Sequence, residues 1–372
     1  MKKILFIVSE DWYFMSHRIN LAKTAISQGY QVSLLTNISI HENYINSLGI
    51  KIINWPIERR SRNPIKELCS IYYIIKTVRK LKPDLLYSVA IKPVFYTILS
   101  KLFFNIKGSV LALAGLGFIF RSNKFSAKFL RFFVVWIFRI FLIGSNVRLI
   151  VQNKDDIQLL KNLKILSSEK IRLIRGAGIN TIDFYSKKIK HKTPLVILPG
   201  RMLWDKGVGD FVRCSQRFFL DNYNVRFALI GEPDIHNPES VSNEELKEWE
   251  DLGYVEYWGR QENMLDVYNK ADLVCFPSYH EGLPRALLEA ASCELPIVAY
   301  DVSGCREIVK DNENGFLVPF KDENGLFLAI LELLESSALR RKMGLKGRQI
   351  VMENFTDNIV ISETINVWEE II

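Results

Sequence analysis

The stretch "LVCFPSYHEGLPRALLEAASCELPIVAY", residues 273–300, decides the fold. Leu273–Phe276 is an apolar run too short for a helix, and it reads as a buried strand. Pro277 to Pro284 is turn chemistry. Arg285–Cys293 is amphipathic and reads as a helix, and after Pro296 a second apolar run, Ile297–Tyr300, reads as another strand. Strands separated by a crossover helix are parallel, and a parallel sheet is covered on both faces. Glu281 falls in the loop and Glu289 on the helix, with seven residues between them.

That alternation extends along the chain in both directions. Before it, strands are expected at Lys3–Val8, Gln31–Thr36, Ile50–Asn54, Asp84–Val89, Ser109–Leu113, Val147–Val151, Leu195–Pro199, Arg226–Ile230 and Val255–Trp258. Gly315–Val318 follows it. Helices are expected at Ser16–Gln28, Pro64–Leu81, Lys92–Phe104, Lys124–Ile143, Val208–Leu220, Asn243–Asp251, Met264–Asn269, Asn324–Glu335 and Ala338–Glu353. A length of 372 residues suits two cores. The fold class is therefore α/β, two tandem Rossmann-like domains, with ligand at the carboxyl ends of the strands and in the cleft between domains. The expected boundaries are 1–182, a polar linker "DFYSKKIKHKTP" at 183–194, and 195–355. A C-terminal helix over 356–372 is expected to pack back on the first domain.

Composition narrows the class. The chain is 48% hydrophobic and 24% charged, with 12 Pro and 20 Gly, which is globular rather than disordered. Five cysteines without a C-x-x-C pair argue against a disulfide framework and for buried thiols in a reducing compartment. The start "MKKILFIVSED" has too short an apolar run for a secretory signal and reads as a strand. The net charge of +8 divides unevenly: residues 1–190 carry 31 basic and 10 acidic side chains, and residues 191–372 carry 18 and 31. No acidic residue occurs from Leu85 to Lys154. An anionic partner for the first half is expected, and an anionic membrane surface fits best. On the helix 124–143, Lys124, Lys128, Arg131 and Arg139 share one sector of an otherwise apolar surface, as in an interfacial amphipathic helix. A core helix with one wet stripe has the same pattern.

The chemistry concentrates in two loops of the second half. Pro284 suits the first turn of a helix, and Gly282 lets backbone approach a ligand. Outward amides of Gly282, Leu283 and Arg285 would then form an anion site. Glu281 reaches a group ahead of the helix and Glu289 one beside it, which suits a nucleotide diphosphate sugar with hydroxyls at both ends and phosphates between. "PGRMLWDKG", residues 199–207, ends a strand at Gly200 and supplies Arg201 and Lys206, two cations that can neutralise a departing diphosphate. Each loop alone also reads as ordinary surface.

Together, "GR…KG" and, about 75 residues on, "EG-x-P…E" resemble the C-terminal domain of the family 4 retaining glycosyltransferases, whose architecture is the two-Rossmann GT-B fold. "RLIRGAGINTIDF" (172–184), "ALIGE" (228–232), "VEYWGR" (255–260) and "ELPIVAYDVSGCREIVKDNENGFLVP" (294–319) extend the resemblance over nearly the whole chain. The resemblance implies that Arg201 and Lys206 bind the donor diphosphate and that Glu281 holds the transferred sugar. It implies that Gly200, Gly231, Gly282, Leu283 and Pro284 lie along the donor, that Glu289 accepts from the ribose, and that Gly259 and Arg260 flank the base. Transfer would retain configuration by front-side attack. The first-strand loop "SEDWYFMSHR" (9–18) lacks the glycine pair of many members. With "SVAIKP" (88–93) and "LAGLGFIF" (113–120) it resembles a subgroup that assembles capsule, O-antigen and protein glycans. Glu10, His17, Arg18, Lys92, Gly115 and Gly117 would then line the acceptor side.

The reading is thus a glycosyltransferase taking a UDP-linked sugar, an N-acetylhexosamine by analogy with the subgroup, to a polyprenyl-diphosphate-linked saccharide at the inner face of the cell membrane. No cofactor is expected and, with no D-x-D, no metal. A dehydrogenase lacks its G-x-G-x-x-G, and no nucleic-acid motif accompanies the basic half. A non-hydrolysing UDP-sugar epimerase of the same fold and a silent nucleotide-sugar-binding module are the alternatives.

Overall fold

A computed structural model describes residues 1–58, 61, 63–104, 106–116, 125–142, 146–187 and 192–372. It divides into two compact units, Met1–Gly178 with Asp357–Ile372, and Ile179–Thr356.

The first unit is built on seven parallel strands: β1 (Lys3–Glu10), β2 (Gln31–Asn37), β3 (Lys51–Asn54), β4 (Leu85–Val89), β5 (Gly108–Leu113), β6 (Val147–Val151) and β7 (Ile171–Leu173). Their order is β3-β2-β1-β4-β5-β6-β7. Along β1 the side chains alternate between two cores. Ile4, Phe6 and Val8 join one, and Leu5 and Ile7 join the other. Both faces are covered, so the strand is apolar throughout. Trp368, on the helix Asp357–Glu369, is fully buried against Phe6 and Tyr87, with ring centroids 5.8 and 5.3 Å away. The C-terminal segment is thus part of the first core.

The second unit has six parallel strands: β8 (Leu195–Pro199), β9 (Arg226–Ile230), β10 (Glu256–Gly259), β11 (Leu273–Phe276), β12 (Ile297–Tyr300) and β13 (Gly315–Val318), ordered β10-β9-β8-β11-β12-β13. In each sheet the strand order reverses once, between β1 and β4 and between β8 and β11. Adjacent helices leave to opposite faces there, which opens a crevice at the carboxyl ends.

Several expectations need adjusting. The chain changes units at Gly178/Ile179, ahead of 182/183. The first part of the expected linker is tied into the second unit, where the Ser292 hydroxyl donates to the Phe184 carbonyl at 2.7 Å. Polar composition reported exposure there, not detachment. The helix expected at Ser16–Gln28 is two, Asp11–His17 and Ile19–Ser27, broken at Arg18. Strand β7 and the helices Glu42–Ser47, Lys154–Asn162 and Ser303–Ile308 were too short or too polar to stand out. Four cysteines are buried as expected, but Cys69 is exposed.

Candidate functional site

In the second unit, β8 and β11 are neighbours, so the loops that follow them meet at the order reversal. The fit is tight. Gly207 has a φ of 74°, and a Cβ there would lie 1.9 Å from the Pro277 carbonyl oxygen, so only glycine serves. The Tyr279 amide donates to the Asp205 carbonyl at 2.9 Å. These contacts bring the Lys206 ammonium to 2.6 Å from Glu281 Oε1, which also accepts from the Ser278 hydroxyl at 2.8 Å. Both charged side chains are largely buried, 17% and 11% exposed. An ammonium and a carboxylate so placed present a cation and a hydroxyl acceptor to one small volume.

Below them, the buried Asp210 carboxylate accepts from Tyr279 at 3.1 Å and Tyr300 at 2.8 Å, and pairs with Arg213. Burial, then the Asp210 charge, pushes the Tyr279 phenol up to about 12, so it stays a donor. Gly304, in the helix Ser303–Ile308, lies against the Glu281–Gly282 turn from the other side.

A cavity of about 540 Å³ in the same unit is lined by Gly200, Arg201, Gly231, Arg260 and Glu289 among others, and Lys206 and Glu281 are not among its lining residues. Glu289 is 13% exposed and accepts from Arg285 Nε at 2.9 Å and from the Tyr268 hydroxyl at 3.0 Å. Burial raises its carboxyl above the ordinary range, and Arg285 offsets only part of the shift. Arg201 pairs with Asp234 at 3.1 Å at the cavity's edge. Gly259, Gly282, Leu283 and Pro284 are not among the residues lining this cavity. Pro284 is the N-cap of the helix Arg285–Ser292 rather than its first residue, and no side chain caps that helix. The Glu281 and Glu289 carboxylates are held by different partners, Lys206 and Ser278 for the first and Arg285 and Tyr268 for the second.

The first unit has its own cavity, about 380 Å³, where β1, β4 and β5 end. Glu10, Lys92 and Gly115 line it, with Trp12 and Tyr13. Ala90 is held there at a φ of 78°, a costly conformation for a residue with a Cβ. The Lys92 ammonium is committed, however. It donates to the carbonyls of Glu58 and Ser61 at 3.2 and 2.8 Å and to Glu67 at 2.9 Å, so it ties down the 58–67 segment. His17 and Arg18 are not among the lining residues: His17 stacks on Tyr13 at 4.2 Å, and Arg18 is buried. Gly117 lies outside the described residues.

On the helix Phe125–Leu142, Val134, Val135 and Phe138 are core, while Phe132, Trp136 and Ile140, four apart, are exposed at 67%, 53% and 45%. The expected basic stripe is modified: Arg139 donates to the Leu163 carbonyl at 3.1 and 2.6 Å, and Lys124 lies outside the described residues. Among the described residues no helix is long and apolar enough to cross a membrane.

Sequence reasoning missed Ser278, Asp210, Tyr279 and Gly304. "VSGCRE" contained a usable signal, a glycine at the start of a helix, but its partner is a turn over 20 residues away.

Residues 180–350 match the family model described as "Glycosyl transferases group 1", and residues 3–154 match "Glycosyl transferase 4-like". The N,N'-diacetylbacillosaminyl-diphospho-undecaprenol alpha-1,3-N-acetylgalactosaminyltransferase of Campylobacter jejuni is 26% identical over 380 residues, covering 96% of this chain and 98% of its own. Among solved structures, the sucrose-phosphate synthase of Thermosynechococcus elongatus superposes with a TM-score of 0.81 at 17% identity, covering 100% and 99% of the two chains. Anabaena Alr3699/HepE in complex with UDP-glucose gives 0.77 at 18% identity, covering 98% and 100%. The GT-B fold, two Rossmann-like domains, is common to them.

Proposed function

The chain belongs to the glycosyltransferases that join a 4-like half to a group 1 half, and we propose that it moves a sugar, with retention, from a UDP-linked donor to a saccharide on a polyprenyl diphosphate during assembly of a surface glycan. The transferred sugar is read as an N-acetylhexosamine, in line with the name of the Campylobacter relative. The observation that carries the reading is the Lys206–Glu281 contact of 2.6 Å at the β8/β11 reversal. Donor binding would open that contact. Glu281 would accept from the sugar hydroxyls, and Lys206, with Arg201, would face the diphosphate.

As the bond to the anomeric carbon breaks, negative charge grows on the leaving phosphate. A fixed ammonium and the N-terminal end of the helix Arg285–Ser292, which no side chain caps, would stabilise that charge without reorganising. Glu289 would take the ribose hydroxyls. The reading needs no metal, because Lys206 and Arg201 supply the positive charge. The exposed Phe132, Trp136 and Ile140 with Arg131 nearby support peripheral attachment at the inner membrane face.

The test incubates purified protein with a panel of nucleotide sugars and membrane lipid extract, read by mass spectrometry, with and without EDTA. The expected result is a lipid-linked product heavier by one sugar, from one donor, at a rate EDTA leaves intact. Conversion of the donor without acceptor would make the protein an epimerase, and binding without turnover would make it a silent module. Activity restored only by Mg²⁺ or Mn²⁺ would overturn metal independence.

A further inference from the structure

The amino ends of the first-unit strands carry a cationic cavity of their own, about 200 Å³ in volume. Lys3, Gln31 and Lys51 are the first residues of β1, β2 and β3. In the parallel register Lys3 stands beside Gln31, and Ser33 stands between Leu5 and Lys51. Side chains alternate along a strand, and directly opposed residues share a face. Leu5 packs in the core shared with Ile74 and Val78 of the helix Pro64–Leu81, so Lys3, Ser33 and Lys51 stand on that helix's side of the sheet. The last turn of the helix brings Lys80 to the same cavity, and Pro83 closes it.

Three ammonium groups thus share one small space. Among the described residues no carboxylate forms an ion pair with Lys3, Lys51 or Lys80. Asp84 acts on Lys3 through its charge, but its oxygens are taken by the Lys3 amide at 2.9 Å and by Lys107 at 2.8 Å, and it does not line the cavity. Ser33 lines the cavity, is only 7% exposed, and its hydroxyl has no hydrogen-bond partner among the described residues. A buried hydroxyl is ordinarily satisfied, by protein, water or ligand. A cation near a helix C-terminus is favourable, which accounts for Lys80. It does not account for Lys3 and Lys51, which stand on strands, or for Ser33.

We propose that this cavity is a phosphate site, holding a phosphate monoester or inorganic phosphate between Lys3, Lys51 and Lys80, with the Ser33 hydroxyl donating to one phosphate oxygen. A phosphate monoester carries about −1.5 to −2 charges at neutral pH and three strong acceptor oxygens. Lysines suit it as point charges on flexible stems that can close around an anion. The space is equivalent to about six waters at ~30 Å³ each, enough for one phosphate with part of its hydration. The site lies at the opposite ends of the strands from the cavity lined by Glu10 and Lys92, and it does not rest on the transfer reaction proposed above. The headgroup of a phosphatidic acid and a free phosphate ester present the same chemistry, and the arms of the experiment separate them.

The test uses the full chain with saturating UDP, so that the loops after β8 and β11 are occupied, and reads binding by calorimetry. Inorganic phosphate and glycerol 3-phosphate are the soluble probes. Phosphatidylcholine vesicles with and without phosphatidic acid are the lipid probe. A phosphate probe should bind one to one, and more weakly at high salt. Lys3→Gln, Lys51→Gln and Lys80→Gln together should weaken it by about 10²-fold, from about 5-fold for each partly exposed ion pair, and leave UDP binding unchanged. Ser33→Ala should weaken it by about 5–10-fold, the worth of one hydrogen bond, and Ser33→Thr, which keeps the hydroxyl, should weaken it less. If the triple variant does not fold, Ser33→Ala and Lys51→Gln carry the test singly. Soluble phosphate binding without vesicle binding would support the site and assign it to a free ester. Vesicle binding that needs phosphatidic acid, is displaced by glycerol 3-phosphate and is lost in the triple variant would support the site and assign it to a lipid headgroup. No saturable binding of any probe, or binding that the lysine and Ser33→Ala variants all retain, would overturn the proposal and leave the lysines as partners of the helix end alone.

Discussion

Replacing Gly304 by Ala tests whether the position of Glu281 sets the rate. A Cβ at Gly304 would lie 2.7 Å from Glu281 Cβ, 2.8 Å from the Gly282 carbonyl oxygen and 2.9 Å from the Glu281 carbonyl carbon. Two of these are backbone atoms, so no rotamer change relieves the overlap. Restoring a ~3.5 Å contact distance moves the turn by about 0.8 Å. That stretches the 2.6 Å Lys206 contact and the 2.8 Å Ser278 contact, which hold the Glu281 carboxylate. A misplacement of about 1 Å costs on the order of 10²-fold in rate. Overpacking costs about 1–3 kcal/mol of stability, and the alanine's better helix propensity returns about 0.5–1 kcal/mol. Gly304→Ala should therefore stay folded, with turnover at saturating donor down about 10²-fold. UDP affinity should change little, because Glu289 and the cavity around it are untouched. Turnover is measured with labelled donor, UDP binding by calorimetry and stability by urea denaturation. Turnover close to wild type would refute the reasoning. So would a loss explained by the fraction of protein unfolded.

Lys206→Ala should lower turnover by about 10²–10³, the scale of losing one preorganised donor to a developing anion. It should also destabilise the fold by stranding the Glu281 carboxylate, and the double change with Glu281→Ala should recover part of that loss in a denaturation cycle. For Glu289, burial raises the carboxyl, so its charge is lost as pH falls through a value above the ordinary glutamate range. Donor affinity should weaken over that acid limb and the limb should vanish in Glu289→Gln, whereas a persistent limb would place the titrating group elsewhere. The same burial works against stability while the carboxylate is charged and is relieved on protonation, so Glu289→Gln should not lower the neutral-pH melting midpoint. Trp368→Ala should cost about 3–5 kcal/mol in urea, since the whole indole is buried in the first core. A loss under about 1 kcal/mol would show that the C-terminal helix contributes little to that core.

Much of the fold was legible because parallel strands buried on both faces are short apolar runs. Leu195–Pro199, Arg226–Ile230, Leu273–Phe276, Ile297–Tyr300 and Gly315–Val318 have the same ends in sequence and structure. Elements that bury little were harder to read. Strand β7 has one buried residue in three, and the helix Lys154–Asn162 buries only Asp156 and Leu160. The break at Arg18 was hidden because its polar side chain is inside, against the usual direction of an amphipathic pattern.

The site divides along the same line. The residues proposed to meet a ligand stand in the loops after strands or on the helix that follows, and those segments can be read locally. Lys206, Glu281, Glu289 and Glu10 were found that way. Residues that hold them act across the sheet, and one sequence does not show such pairs. Asp210 fixes Tyr279 from a helix about 70 residues earlier. Asp11, buried one residue past Glu10, accepts from the Ser39 and His41 amides at 2.8 and 3.2 Å and pins the loop after β2 against the acceptor-side turn. Lys92 has the opposite outcome: its sequence neighbourhood placed it at the cavity, correctly, but its charge is spent on Glu67 and two carbonyls. Position at a strand end thus identifies candidate ligands, and the partner count of each charged group then separates those still available from those already committed. By that criterion Lys92 is a strut for the 58–67 segment before it is a ligand residue.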